Sequence, residues 1–484
     1  MRRRSLSVLL GGVVVLASVP VLTAFLADRS YGSAEAPRQG CTAPAAWFPN
    51  TPRPVNFQVG SDNCKFHQWA WQEFLWATQP ASGTAGVPNF LQFAYPSDLF
   101  VANPLPYPGR STRVSRAAPS SRATRANRGE VLDMRPRDRK DDESLDVDAI
   151  AQAGTTNILI DAAGHPVYYV ILIDSTWYSF ARDSGYNQLS KRMAAPASLN
   201  FPTDGPGTVE LKTAWRVAQM GDSVLIPNAA TRFITTRASI APVRIASGKF
   251  VVDTANPVAA TMALVGMHVV GTVPNHPEFI WATFEHVDNA PACAKTPAGA
   301  TNPATGQSWS FYTGNPACTN VFGTCNKGQG VSAASFAPTP VCQINPWGDT
   351  TSTPTTNAQN IQSLNASVAT QLTGQRALLK NYFLLGGQWT FPGGLPALFA
   401  NGSDTTNIHG SAKLANTTME SFTQTLTCFT CHNSTPGSGN FNAKNIAVSH
   451  VWPLPPTMRS NRVAPRPARP AELVRPRPRP RPRS

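Results

Sequence analysis

Met262-Ala-Leu-Val-Gly-Met-His268-Val-Val-Gly-Thr-Val273 and, six residues on, Phe279-Ile-Trp-Ala-Thr-Phe-Glu285-His286 decide the fold. The first run is almost wholly apolar and rich in β-branched residues, which reads as a buried strand. The second alternates. Phe279, Trp281, Thr283 and Glu285 fall on one face, and Ile280, Ala282, Phe284 and His286 on the other. Glu210 to Val217 alternates in the same way, with Glu210 and Lys212 sharing a face where they could form an ion pair. Upstream, Asn157 to Asp161, a short Ala-Ala-Gly-His link and Pro166 to Ile173 read as a β-hairpin turning at Gly164.

Helices are expected around these strands. Phe66 to Trp76 is a dense aromatic run in which Phe66, Trp69 and Leu75 recur near helical spacing, the pattern of a buried helix. A second helix is expected from Ser175 to about Leu189. A third is expected over 356–384, with Gly386-Gly387 as its C-terminal cap. No internal repeat is evident. The expected class is α+β, a large strand-rich body with flanking helices.

Composition agrees: 44 prolines and only 14% charged residues in 484 suit a loop-rich, strand-rich chain better than a helical bundle. The net charge of +14 suggests nucleic acid until its distribution is seen. Residues 459–484 carry +8, residues 109–140 carry +7 and Arg2-Arg3-Arg4 carry +3, which leaves about −4 for the rest. The body is mildly acidic, so no nucleic-acid partner is expected. Residues 1–36 read as a signal peptide or N-terminal anchor, with a basic start, an uncharged run from Ser5 to Ala27 and small residues after it. The body begins in 37–104, is interrupted by an Arg-rich insertion over 105–148 expected to be disordered, and resumes as the main body over 149–427. Alternating Arg-Pro over 459–484 favours extended chain that cannot pack a core.

The chemistry lies in Cys428-Phe-Thr-Cys431-His432. Two thiols three residues apart can form thioethers to porphyrin vinyl groups, and the next residue is a histidine that can reach the iron. Cys428, Cys431 and His432 are therefore expected to hold haem c, with His432 as an iron ligand. Too little chain follows for a self-contained cytochrome c domain, so the attachment segment 428–458 must be sheltered by the upstream body. His450 is the first choice for the second iron ligand, and Met458, His409 or an open position are the alternatives. The other six cysteines suit an oxidising compartment. Loop economy favours Cys41–Cys64, leaving Cys293, Cys318, Cys325 and Cys342 to pair among themselves. Glu210, Lys212, Trp215, Arg216, His268, His276, Trp281, Glu285, His286 and Asp288 interrupt strands that otherwise read as core. They are either a structural network or the lining of a pocket.

Several blocks together resemble a family of exported bacterial proteins labelled cytochrome c family. They are the Trp/Phe-rich run at 66–76, Pro166-Val-Tyr-Tyr169, Glu210-Leu-Lys-Thr-Ala-Trp-Arg-Val217, Gly266-Met-His-Val-Val270, Trp281 to Asn289, Leu414-Ala-Asn-Thr-Thr-Met-Glu420 and the Cys428–His432 motif. The resemblance implies one haem c and an exported location. Three roles stay open at this point. One is electron transfer with an unidentified redox partner, in the periplasm or tethered to the inner membrane through the N-terminal segment. Another is a peroxidase- or oxygenase-like haem enzyme with an open distal face, and the last is an exported binding protein in which haem is structural.

Overall fold

The computed structural model describes residues 40–81, 87–107, 131–134, 150–153, 157–293, 301–312, 329–330, 336–348, 356–390, 408–432, 446, 448, 449, 451 and 452. The N-terminal segment, the Arg-Pro tail, most of the Arg-rich stretch, His450, Met458, Cys318 and Cys325 lie outside the described residues.

Among the described residues nine strands form one sheet: β1 (Val131–Asp133), β2 (Tyr168–Ile173), β3 (Val209–Met220), β4 (Ser223–Val224), β5 (Thr235–Ile240), β6 (Val258–Val273), β7 (His276–His286), β8 (Tyr382–Thr390) and β9 (Ile408–Gly410). The apolar run 262–273 lies at the centre of this sheet. One edge of β6 pairs with β3 along its length, and the other pairs with β5 over 258–263 and with β7 over 266–273. The order continues through β8 to β9, all antiparallel, while β1 joins the edge of β5 in parallel. β1 falls within the stretch expected to be disordered. Its Val-Leu-Asp-Met sequence interrupts the Arg/Ser/Ala pattern, and Leu132 and Met134 are buried.

The two faces are covered differently. Thr213, Trp215, Met267, Val269, Ala282 and Phe284 face two helices, α1 (Asn63–Thr78) and α2 (Thr356–Gln371). Asp62 caps α1, its side chain accepting from Cys64 N. Nearly all of α1 is buried, its aromatic residues together with the polar side chains of His67, Gln68, Gln72 and Glu73. Phe74 stacks on Phe284 of β7 at 4.2 Å, and Trp71 meets the same ring edge-on at 5.0 Å. Trp71 Nε1 also donates to Asn365 of α2 at 2.8 Å. A largely antiparallel sheet with two long helices on one face and the shorter helix Ser175–Asp183 packed on the other, against Val270 and Trp281, is an α+β architecture, as the sequence pattern implied.

Some expectations are corrected. The helix expected over 356–384 ends at Gln371, and 374–381 is a 3-10 turn leading into β8. Gly386-Gly387 is therefore mid-strand and caps nothing. A Cβ on Gly386 would overlap the Ser411 hydroxyl and the Leu414 side chain, so the residue is small because other chain presses on the sheet there. The helix expected from Ser175 to Leu189 stops at Asp183, where Gly185 at φ 71° turns the chain. The hairpin turns where expected, with Gly164 N bonded to Asp161 O and Val167 N to Leu159 O. Disulfides join Cys41 to Cys64 and Cys293 to Cys342. Among the described residues no helix is long and apolar enough to cross a membrane.

Candidate functional site

The other face of the sheet carries its polar residues in rows, because cross-strand partners share a face. Glu210, Val270, Trp281 and Gln388 are register partners from β3 to β8. Two residues along lies Lys212, His268, Thr283 and Gly386, and beyond it Ala214, Gly266 and Glu285. The chain after β9 packs over these rows.

It is held by side-chain acceptors on the strands. Glu285 takes the Thr417 amide at 2.7 Å and the Thr417 hydroxyl, and Asn416 Nδ2 donates to Thr283 Oγ1 at 2.8 Å. His268 bonds Thr283 through Nδ1 at 2.8 Å and Glu420 through Nε2 at 3.0 Å. Burial works against the Glu420 charge, but His268 and Lys212 hold its carboxyl below the usual range. A Cβ on Gly266 would collide with the Thr418 hydroxyl and crowd Asn416 Oδ1, so a glycine there lets the segment lie directly on the strand.

The motif lies over the row of Glu210, Trp281 and Gln388. Thr427 caps a single helical turn, α3 (Cys428–Cys431), its hydroxyl accepting from Thr430 N at 3.2 Å. Gln388 Oε1 accepts from Cys428 N at 2.9 Å. Phe429 is fully buried and Cys428 half-buried. His432 ends the turn, its ring 4.1 Å from that of Trp281. Its Nδ1 lies 3.0 Å from the Val448 carbonyl. A carbonyl can only accept, so Nδ1 carries a proton, and in the neutral ring the lone pair lies on Nε2. Ser449 follows Val448, and its hydroxyl donates to Glu210 Oε2 at 2.6 Å. Burial pushes the Glu210 carboxyl up to about 7, against hydrogen bonding from Ser449 and Trp177.

The remaining polar residues picked out in the strands are mostly tied into structure. Glu210 and Lys212 do share a face, but Glu210 meets Ser449 whereas Lys212 donates to Gln152 O at 3.0 Å. Arg216 pairs with Asp161 at 2.8 Å, and Arg232 with Asp288 at 2.6 Å. His286, on the helix-covered side, donates to Arg232 O and accepts from Asp288 N. Burial takes its imidazole down to about 4. His276 bonds Glu278 at 2.7 Å. Trp215 is core, with Nε1 on Thr213, while Trp281 stands beside His432. His409 is on β9 opposite Trp389. His450 cannot be placed against His432, since it is outside the described residues.

The residues that could hold the expected haem are thus Cys428, Cys431 and His432, and among the described residues no cluster of three or more His, Cys, Asp or Glu could hold a bare metal ion. Gln388, Val448, Ser449 and the role of Glu210 escaped the sequence reading. Gln388 was hidden by the misplaced helix end, and Val448 acts through its backbone, which leaves no mark on residue identity. No family model matches the chain, and no curated protein or solved structure matches it.

Proposed function

We propose that this chain is an exported c-type cytochrome in which Cys428 and Cys431 hold one haem by thioethers, His432 ligates the iron, and the role is electron transfer. The observation that carries this is the imidazole of His432. Its Nδ1 proton is committed to a carbonyl 3.0 Å away, so in the neutral ring the lone pair that would ligate iron lies on Nε2, at the end of the turn bearing both cysteines. The donor set therefore fits a covalently attached haem. Bound there, haem supplies an iron that alternates between ferric and ferrous states. The chain orients the imidazole through Val448, packs one side of it with Trp281 and anchors the cysteine turn on β8 through Gln388. Two disulfides suit an exported protein in an oxidising space such as the periplasm. The paired state of Arg216, Lys212, Arg232 and Glu285 favours electron transfer over catalysis, since these groups serve the fold rather than an open pocket.

The test is a pyridine-haemochrome spectrum of protein denatured after export. Covalent c-type haem is expected in the wild type and is expected to be lost from the Cys428→Ser/Cys431→Ser variant. Haem that extracts freely from the wild type, or stays attached in the variant, would sink the reading. A low-spin iron that ignores carbon monoxide separates electron transfer from haem enzymology, because an open position would bind it.

A further inference from the structure

We infer that Glu210 is a positioning residue for the iron-binding histidine: acting through the Ser449 hydroxyl, it fixes the Val448 carbonyl against His432 and so sets the haem reduction potential. The inference rests on the haem-binding reading above. Glu210 sits in the middle of the sheet, opposite Ile173 on one neighbouring strand and Val270 on the other. A carboxyl there is costly unless something uses it. Its Oε2 receives the Ser449 hydroxyl proton at 2.6 Å, and the same hydroxyl oxygen accepts from Val451 N at 3.3 Å. Ser449 N and Trp452 Nε1 both close on the Ile446 carbonyl, at 3.2 and 3.0 Å. The turn that presents Val448 is internally bonded in this way, and the Ser449–Glu210 hydrogen bond ties it to the sheet.

An imidazole whose Nδ1–H is hydrogen-bonded is a stronger donor through Nε2, which favours ferric iron. Loosening the turn weakens that bond and raises the potential. Redox titration of the haem-loaded, full-length protein provides the test. Ser449→Ala and Glu210→Ala are each expected to shift the potential upward, and the double variant no further than the larger single shift, because both act through one path. Glu210→Gln keeps an acceptor oxygen and is expected to stay nearest the wild type. Fully loaded Ser449→Ala and Glu210→Ala proteins with unchanged potentials would overturn the inference, as would additive shifts. Ser449→Ala, which removes one hydroxyl, decides the matter if Glu210→Ala does not fold.

A haem-free readout separates this from the function itself. In the Cys428→Ser/Cys431→Ser protein, 15N NMR of the His432 ring is expected to report the Nδ1–H tautomer, and adding Ser449→Ala is expected to remove that bias. A wild type without covalent haem would end the cytochrome reading, and an unbiased tautomer would end this one.

Discussion

At Asn365 one side-chain amide closes three hydrogen bonds between elements distant in sequence. Oδ1 accepts from Trp71 Nε1 at 2.8 Å and from Leu384 N at 3.1 Å, while Nδ2 donates to Leu384 O at 2.9 Å. It therefore joins α2 to α1 and to β8. Asn365→Ala would leave these buried groups without partners, and a loss of about 3 kcal/mol is expected in urea unfolding. Asn365→Asp tests the geometry: it keeps the acceptor but loses the donor to Leu384 O and buries a charge, so it should also destabilise. Nothing local marks Asn365, because its partners lie at 71 and 384. The Cys428–His432 motif is legible for the opposite reason, since its chemistry is contained in five consecutive residues. What orients His432 comes from residues far from the motif on β3, β7 and β8 and from Val448 and Ser449, and so could not be read from the motif.

At the scale of elements, the segment after β9 is held by polar side chains on an otherwise apolar sheet. Gly266 and Gly386 are where it lies closest, against Asn416 and Thr418 in one case and Ser411 and Leu414 in the other. Gly266→Ala forces the Thr418 hydroxyl and the Asn416 and Met419 side chains away from the strand, at a cost of about 1–3 kcal/mol. The expected signature is faster hydrogen exchange at 414–421 with α1 amides still protected, because α1 packs on the opposite face. Uniform loss of protection would argue that the segment and the sheet unfold as one unit. Gly386 also explains the largest error in reading the sequence. A Gly-Gly pair after a helical pattern imitates a cap, and only the chain that crosses it reveals a strand. The core strands were legible because period-two alternation and apolar runs are local signals. The cover on their polar face was not, since it is specified by partners distant in the sequence, as Glu285 is from Thr417 and Gln388 from Cys428.

For the molecule as a whole, burial moves acids and histidines in opposite directions, and their pH effects oppose each other. Glu73 and Glu210 are both pushed by burial up to about 7. Each binds its proton more tightly folded than unfolded, so its stabilising contribution is complete below the ordinary carboxyl range and is lost as pH rises towards 7. His67 and His286 are taken by burial down to about 4. Their neutral forms favour the fold above the ordinary imidazole range, and that contribution is lost as pH falls towards 4. Between about pH 4.5 and 6.5 the two sets offset, so the wild type should show a shallow stability profile. Glu73→Gln breaks the balance. Arg53, 3.4 Å from Glu73, keeps Asp174 at 2.7 Å, so the variant does not strand a cation. Relative to the wild type, the variant should gain on the order of 3 kcal/mol between pH 4.5 and 7, because it no longer has a buried acid to ionise. Urea unfolding at half-unit pH steps measures this difference directly. A difference that stays constant across the range would mean that Glu73 ionises in the folded protein as it does in the unfolded chain, and that Arg53 fully compensates its burial.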